Sequence, residues 1–206
     1  MNSSSGDHRE AKAALRVAML ARRAAVAPDI LRAASDRVLA QVTALPEFKG
    51  ARTLLIYLAL PQEVQTNRII ERAWQAGVQV AVPAARLDGE YSPVWLKPGD
   101  AVAAARFRVP EPVVQVPAKP DRFDLVVVPG VAFTAEGARL GHGKGFYDRL
   151  LARLGRRGRC KLGLCLEAQL VLAMPVSDQD VGMDGVVTEA RVYRSRVSDS
   201  EERLAK

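Results

Sequence analysis

Apolar and polar positions in the first quarter of the chain repeat at the spacing of helices. From Glu10 to Ala25, Leu15, Met19 and several alanines recur every three or four residues, which predicts an amphipathic helix. Its basic residues Lys12, Arg16 and Arg23 are expected along the polar side. A second helix is predicted from Pro28, a favoured first-turn residue, to just before Pro46.

The pattern then changes to short apolar runs that alternate with helical segments. Thr66 is expected to cap a helix that reaches Ala76, and Asp88-Gly89 is a turn dipeptide inside a predicted hairpin over 84–97. A Pro-rich connection over 109–120 precedes the apolar run 125–128, and a glycine-rich loop follows that run. The predicted strands are 53–60, 78–82, 125–128, 162–166 and 186–188, and a further helix is predicted over 146–154.

Strands that are apolar throughout, separated by helices, predict an α/β fold with three layers, α/β/α, and a mostly parallel sheet. We expect a single domain over 9–194, a disordered N-terminal tail over 1–8 and a mobile C-terminal tail over 195–206, because both ends are polar. Ligands of such sheets bind beyond the carboxyl ends of the strands. The loops after Leu60, Val128 and Leu166 are therefore the candidate site.

Composition and charge narrow the function classes. The chain has 206 residues, of which 49% are hydrophobic and 26% charged. This composition excludes a chain that is disordered throughout and a disulfide-stapled miniprotein. Cys160 and Cys165 are interpreted as reduced thiols. A net charge of +7 favours anionic partners, and a compact anion is preferred to nucleic acid because no aromatic residues interleave with the basic ones. No apolar run suggests a membrane span or secretory signal, so a cytoplasmic protein is expected.

Most of the candidate chemistry lies in the loop after the predicted strand 125–128. Gly141, Gly143 and Gly145 alternate with other residues and precede a helix, so backbone N–H groups are expected to converge on an oxyanion. Lys144 adds charge, and Asp148 is a candidate Mg²⁺ ligand. The spacing matches neither the Walker loop nor the dinucleotide fingerprint. A flexible loop with a solvated lysine is the alternative reading of the pattern alone.

Five motifs in the same order resemble the 5-formyltetrahydrofolate cyclo-ligase family, also called 5,10-methenyltetrahydrofolate synthetases. The motifs are Lys12-x-x-Leu15-Arg16; Tyr57-x-x-x-Pro61-x-Glu63-Val64; Pro110-Glu111-Pro112; the run from Pro129-Gly130 through Phe133, Gly137, Arg139-Leu140-Gly141-x-Gly143-x-Gly145 to Tyr147-Asp148-Arg149; and Gln169 with Pro175, Asp180, Asp184 and Thr188-Glu189. The resemblance covers about residues 10 to 190.

The resemblance implies a Rossmann-like fold of the NagB/RpiA/CoA-transferase-like kind and an ATP- and Mg²⁺-dependent ring closure of 5-formyltetrahydrofolate through phosphorylation of the formyl oxygen. It implies that Lys144 and Arg139 are catalytic. The implied ATP-binding residues are Lys12, Arg16, Arg139, Leu140, Gly141, His142, Gly143, Lys144, Gly145, Phe146 and Tyr147; the implied folate-binding residues are Glu63, His142, Gly143, Lys144, Gly145 and Phe146; and the implied metal ligands are Asp148 and Asp180.

The chain departs from the family pattern at two positions: His142 stands where arginine is frequent, and Phe146 where tyrosine is frequent. A monomer that contacts neither nucleic acid nor membrane is expected. Two other classes stay open on the residues alone. One is an enzyme of the phosphosugar isomerase or CoA-transferase kind with no nucleotide dependence, and the other is a basic nucleic-acid-binding protein whose affinity falls steeply with salt.

Overall fold

The computed structural model describes residues 3–105, 109–119, 123–155 and 159–195. Its helices are α1 Ser3–Ala24, α2 Pro28–Ala44, α3 Pro46–Lys49, α4 Asn67–Gln75 and α5 Phe146–Leu154. Its strands are β1 Thr53–Ile56, β2 Gln79–Ala85, β3 Tyr91–Leu96, β4 Val102–Ala104, β5 Pro110–Pro112, β6 Val116–Pro117, β7 Leu125–Pro129, β8 Ala132–Phe133, β9 Arg139–Leu140, β10 Lys161–Leu164, β11 Gly185–Val187 and β12 Val192–Arg194. Within these ranges, no helix combines the length and the apolar character that crossing a membrane requires.

Across the described ranges, eight strands form one sheet in the order β12-β11-β10-β7-β1-β2-β3-β6. The five strands from β11 to β2 are parallel, and β12, β3 and β6 are antiparallel to their neighbours. The central strands are short and almost entirely apolar because they are buried on both faces. The predicted α/β fold with a mostly parallel sheet is confirmed.

Alternate residues of the central strands belong to two separate cores, as the period of a strand requires. Leu54 and Ile56 of β1 pack with residues of α2 and α4 on one face of the sheet. Leu55, the residue between them, packs with Leu150 and Leu151 of α5 on the other face. The sheet therefore lies between two helical layers, as the sequence predicts.

The first helix lies beside the carboxyl edge of the parallel strands. Met19 packs on Val131 and Leu140, next to the carboxyl end of β7. The Arg22 Nη1 donates a hydrogen bond to the carbonyl of Ala168, which follows β10. This placement brings the basic residues of α1 to the edge where ligands of parallel sheets bind.

Several expected boundaries are wrong. Helix α1 begins at Ser3, so most of the expected tail 1–8 is helical; short polar residues such as serine favour helix starts. At the other end Ser195, the first residue of the expected mobile tail, is buried and its N–H donates to the carbonyl of Asp184. The rest of that expected tail, 196–206, lies outside the described residues. Strand β1 ends at Ile56, before the expected end at Leu60. Thr66 does not cap α4 through its side chain, because its hydroxyl donates to the carbonyl of Tyr57 at 2.7 Å.

Candidate functional site

A cleft of about 1500 Å³ lies at the carboxyl edge of the sheet. Helix α1 lines it with Lys12 and Arg16, and the loops after β1 and β7 line it with Glu63 and Gly130. The segment from β9 to α5 forms a further part of its wall, and residues 177–181 come from the loop between β10 and β11. All three loops selected from the sequence, those after β1, β7 and β10, therefore meet at one cavity.

The glycine-rich loop is fitted closely against α1. Gly143 has φ +88°, and a Cβ built there would lie 3.2 Å from the Arg16 Cζ, so a larger residue would meet both backbone strain and this guanidinium. The Arg16 Nε donates to the carbonyl of Gly141 at 2.8 Å. Gly145, with φ +65°, precedes the first residue of α5. The loop thus leads directly into a helix N-terminus, where backbone N–H groups favour an anion.

Two pairs of opposite charge lie in what we call the cationic region of the cleft. Lys12 Nζ lies 2.5 Å from Asp180 Oδ2, and Arg139 Nη2 lies 2.5 Å from Asp148 Oδ1. The Arg139 guanidinium is buried, also lies 5.8 Å from the ring centroid of Tyr147, and its Nε has no hydrogen-bond partner in the described residues. The cationic region comprises Lys12, Arg16, Arg139, Lys144, Asp148 and Asp180.

The carboxylates of the cationic region are suited to a hard cation that shares phosphate oxygens. Burial raises the pKa of Asp180, but hydrogen bonds from Lys12 and Ser177 outweigh burial, so the pKa is lowered and the group stays ionised. Asp148 Oδ1 lies 3.5 Å from the backbone N of Val181, which places the two carboxylate segments side by side. Among the described residues, no three metal-ligating side chains form a cluster. Two carboxylates are sufficient for Mg²⁺ when substrate and water supply the other oxygens.

Glu63 and its neighbours form what we call the Glu63 region. Tyr57, Glu63 and His142 line the cleft, and Arg23 lies behind Glu63, outside the cleft lining. Glu63 and Arg23 are buried, whereas His142 is half exposed. Glu63 Oε2 accepts a hydrogen bond from the Leu60 N–H at 3.0 Å, whereas Oε1 lies 3.6 Å from Arg23 Nη1 and 4.0 Å from His142 Nε2. Burial raises the pKa of Glu63, and the Leu60 N–H and Arg23 offset this only in part.

His142 stays mostly neutral near pH 7. Its pKa is lowered by partial burial and then by the positive charges of Arg23 and Arg16. The side chain is half exposed and therefore free to contact a ligand in the cleft.

Phe146 is held between the hairpin of β2 and β3 and the helix that it begins. Its ring contacts Tyr91 edge-on with centroids 5.1 Å apart, and the Arg149 guanidinium lies 5.3 Å from its centroid. The Arg149 Nε donates to both carboxylate oxygens of Glu90 at 2.8 and 3.0 Å, and Arg153 Nη1 donates to the same carboxylate. The hairpin tip is thereby tied to α5 beside the cleft.

Every site residue proposed from the sequence lines this one cleft. The set is Lys12, Arg16, Glu63, Arg139, Leu140, Gly141, His142, Gly143, Lys144, Gly145, Phe146, Tyr147, Asp148 and Asp180. Lys144 is exposed, and its ammonium has no ion pair within the described ranges. Their roles in binding and catalysis stay predictions.

Sequence reasoning missed Arg23, which it placed on the polar side of α1. Its side chain is only 4% exposed. The signal was present, because Arg23 follows the buried Met19 by four residues and so shares its helix face. Glu90 and Arg149 were also missed, since their pairing depends on a hairpin meeting a helix distant in sequence.

The two cysteines take no part in the cleft. Both are free; burial raises the pKa of Cys160 to about 12 and that of Cys165 well above its ordinary value. Neither is a thiolate nucleophile at neutral pH.

The fold and the cleft define an α/β protein of the class that binds ligands beyond the carboxyl ends of a parallel sheet, here between a basic helix and a glycine-rich loop. The model of the 5-formyltetrahydrofolate cyclo-ligase family matches residues 8–189. The chain therefore belongs to the 5-formyltetrahydrofolate cyclo-ligase family, and the predicted enzyme class is confirmed.

Individual relatives agree with this assignment. The 5-formyltetrahydrofolate cyclo-ligase of Escherichia coli K12 is 30% identical over 176 residues, which cover 84% of this chain and 97% of the relative. The solved structure of Aquifex aeolicus 5,10-methenyltetrahydrofolate synthetase is 32% identical with a TM-score of 0.78, covering 90% of this chain and 93% of that one. The Mycoplasma pneumoniae 5,10-methenyltetrahydrofolate synthetase, at 22% identity, TM-score 0.70 and coverage of 86% and 98%, shares the fold.

Proposed function

We propose that this protein converts 5-formyltetrahydrofolate to 5,10-methenyltetrahydrofolate, with ATP as co-substrate, Mg²⁺ as metal, and ADP and phosphate as the other products. One observation carries the proposal: the cationic region and the Glu63 region are parts of the same cleft. A reaction that transfers a phosphoryl group from a polyphosphate to a formyl group carried by a neutral heterocycle needs both kinds of surface within reach of each other.

In this proposal the cationic region binds ATP. Lys12, Arg16, Arg139 and Lys144 supply positive charge, and the loop from Leu140 to Tyr147 supplies backbone N–H groups beside the N-terminus of α5. Lys144 is the residue best suited to follow the transferring phosphoryl group, because its ammonium is exposed and has no acidic partner in the described ranges. Arg139 is fixed by Asp148 and serves as a stationary charge.

Asp148 and Asp180 would hold Mg²⁺, which would neutralise phosphate charge during transfer. Both carboxylates line the cleft and are about one quarter exposed, so nucleotide oxygens and water have room to complete the set of ligands. Lys12 and Arg139, the ion-pair partners of these carboxylates, are close enough to contact the same phosphates.

The Glu63 region and the ring of Phe146 bind the folate in this proposal. An ionised Glu63 accepts hydrogen bonds from the amino and ring N–H groups of the pterin, and the Phe146 ring packs on the ring system. Phe146 needs no hydroxyl for this contact. The segment His142–Gly145 joins the two regions and so touches both substrates.

The proposed reaction needs no protein nucleophile. The oxygen of the formyl group that N5 carries attacks the terminal phosphorus of ATP. The bond from that phosphorus to the bridging oxygen breaks, and ADP leaves. The N10 nitrogen then attacks the activated formyl carbon and loses its proton, and phosphate departs with the former formyl oxygen. The cleft residues contribute position and charge, which is the main demand of phosphoryl transfer.

The direct test mixes purified protein with ATP, Mg²⁺ and 5-formyltetrahydrofolate and follows the absorbance of the methenyl product. We expect it to grow only when all three are present. Growth without ATP would contradict the proposal and favour an isomerase-like enzyme. No growth under any condition, with folded protein, would contradict the cyclisation itself. The monomeric state and cytoplasmic location stay predictions.

A further inference from the structure

Arg23 is a buried arginine for which the proposed reaction has no use so far. Its side chain is 4% exposed, and its Nε and Nη1 make no hydrogen bond in the described part of the chain. A guanidinium cannot lose its proton in a protein, so its charge persists after burial. Burying such a charge is costly unless an opposite charge compensates it.

The surroundings of Arg23 leave Glu63 as its counter-charge. The space between Arg23, Tyr57, Glu63 and Gln169 has no room for a water molecule. Gln169 is engaged elsewhere, donating to the carbonyls of Gly130 and Val131 and accepting from Leu166. Arg23 Nη1 lies 3.6 Å from Glu63 Oε1, within ion-pair range but too far for a hydrogen bond.

The groups around Glu63 come from four elements. Arg23 is on α1, Tyr57 follows β1, His142 is on the glycine loop and Tyr147 is on α5. Burial raises the pKa of Glu63, and Arg23 acts against this rise. Arg23 also helps to lower the pKa of His142, after burial. One buried cation thereby favours an ionised carboxylate next to a neutral imidazole.

Glu63 uses its two oxygens differently. Oε2 is bound to the Leu60 N–H, whereas Oε1 faces Arg23 and His142 at distances longer than a hydrogen bond. Oε1 is therefore the oxygen that remains available to a ligand that donates hydrogen bonds. Arg23 places a positive charge near Oε1 without making a hydrogen bond to it.

We propose that Arg23 is the positioning residue of Glu63: from beneath the cleft it holds the carboxylate ionised and oriented, so that Glu63 accepts hydrogen bonds from a neutral heterocycle. The identity of that heterocycle as folate rests on the proposed function. The action of Arg23 on Glu63 does not.

The first experiment needs no ligand. The Glu63 carboxyl is titrated by carbon NMR in the wild type, in Arg23→Met and in Arg23→Lys, with Glu63→Gln identifying the resonance. We expect the pKa of Glu63 to be higher in Arg23→Met than in the wild type, because the buried positive charge is gone, and Arg23→Lys to lie near the wild type. Arg22→Met is the matched control, since Arg22 is the exposed neighbour on α1 and should leave the Glu63 titration unchanged.

The second experiment measures binding of 5-formyltetrahydrofolate and of ATP separately as a function of pH. Arg23→Met should weaken folate binding by roughly tenfold or more at neutral pH and leave ATP binding unchanged. Folate affinity should fall as pH drops through the pKa of Glu63, and this fall should begin at a higher pH in Arg23→Met. In a Glu63→Gln background the Arg23 substitution should add little, because it acts through Glu63.

Equal losses of folate and ATP affinity, with a lower Tm and an unchanged Glu63 titration, would mean that Arg23 is merely structural and would overturn the inference. If Arg23→Met does not fold, Arg23→Lys decides: retention of the Glu63 pKa and folate affinity supports the inference, and loss of folate affinity with the Glu63 pKa retained overturns it. A wild type that binds no folate would contradict the proposed function, while the ligand-free titration would still decide the role of Arg23.

Discussion

The two regions of the cleft hold their carboxylates in different ways. In the cationic region, Asp180 and Lys12 are 2.5 Å apart and 20–25% exposed. In the Glu63 region, Glu63 and Arg23 are 3.6 Å apart and only 4–8% exposed. Partly exposed pairs can exchange partners with an entering ligand, because water replaces what is lost. A buried pair that is held apart cannot exchange its partners with a ligand. It does keep one carboxylate oxygen available as a hydrogen-bond acceptor, which suits a neutral ligand that brings hydrogen-bond donors.

The largest effect on turnover is expected at Lys144, the cation of the cationic region for which the described residues provide no ion pair. Lys144→Ala should lower turnover roughly a thousandfold or more, as the loss of charge at a phosphoryl transition state does, while Tm stays unchanged because the side chain is exposed. Lys97→Ala removes another exposed lysine, one that does not line the cleft, and should retain full activity. Steady-state kinetics and thermal unfolding of both variants check this; near-normal turnover of Lys144→Ala would remove Lys144 from the site.

Substitution of the two carboxylates of the cationic region should lower stability by different amounts. Asp148→Asn leaves the buried Arg139 without an acidic partner and should lower the free energy of unfolding by about 2–3 kcal/mol. Asp180→Asn breaks a more exposed pair and should cost below about 1 kcal/mol. Urea unfolding decides, and equal losses would show that burial does not distinguish the pairs. If Asp180 holds Mg²⁺, its variant should still need more of the metal for activity.

A smaller effect is expected where the glycine loop meets α1. Gly143→Ala imposes a positive φ on alanine and crowds Arg16, so about 1–2 kcal/mol of stability should be lost and ATP binding weakened. Gly99→Ala is the matched control, because Gly99 has φ +85° with nothing near its Cβ position. It should lose similar stability and leave ATP binding unchanged. Equal ATP affinity in both variants would mean that the contact with Arg16 has no role in binding.

The smallest predicted effect concerns how stability depends on pH. The contributions of Asp180 and Glu63 to the free energy of unfolding should change in opposite directions as pH changes. The lowered pKa of Asp180 means that its stabilising contribution is present above its unfolded pKa and is lost as pH falls through the lower folded pKa. The raised pKa of Glu63 means the opposite: its contribution is present at low pH and is lost as pH rises through the folded pKa. Unfolding free energies of Asp180→Asn and Glu63→Gln, each compared with the wild type across acidic pH, should therefore diverge in opposite directions. If the differences from the wild type change with pH in the same direction for both variants, the contrast between the two regions is contradicted.

Much of this architecture could be predicted from residue patterns because the pattern and the tertiary environment agree. The residues of β7 are apolar because both faces of the strand are buried, and α5 begins and ends where its glycines and apolar period predict. The β2–β3 hairpin follows from Asp88-Gly89. Lys12 and Arg16, one turn apart on α1, do face the same cleft.

The remainder depends on contacts between distant segments. Helical periodicity places Arg23 on one side of α1, but only the crossing of α1 over the sheet edge determines that this side is buried next to Glu63. Asp180 lies in a loop without periodicity, so its approach to Lys12 has no signal in the residue pattern. The strands β8, β9 and β12 have two or three residues each, too short for an alternation to be read.

The central claim, that one cleft binds ATP and folate through different regions, is tested most directly by isothermal titration of each ligand separately into Glu63→Gln. This variant keeps the shape of the carboxylate but replaces one acceptor with a donor. Folate binding should weaken roughly ten- to hundredfold, as a buried mismatch of about 1–3 kcal/mol requires, and ATP binding should be unchanged. Loss of ATP binding with folate binding intact would contradict the assignment of the two regions.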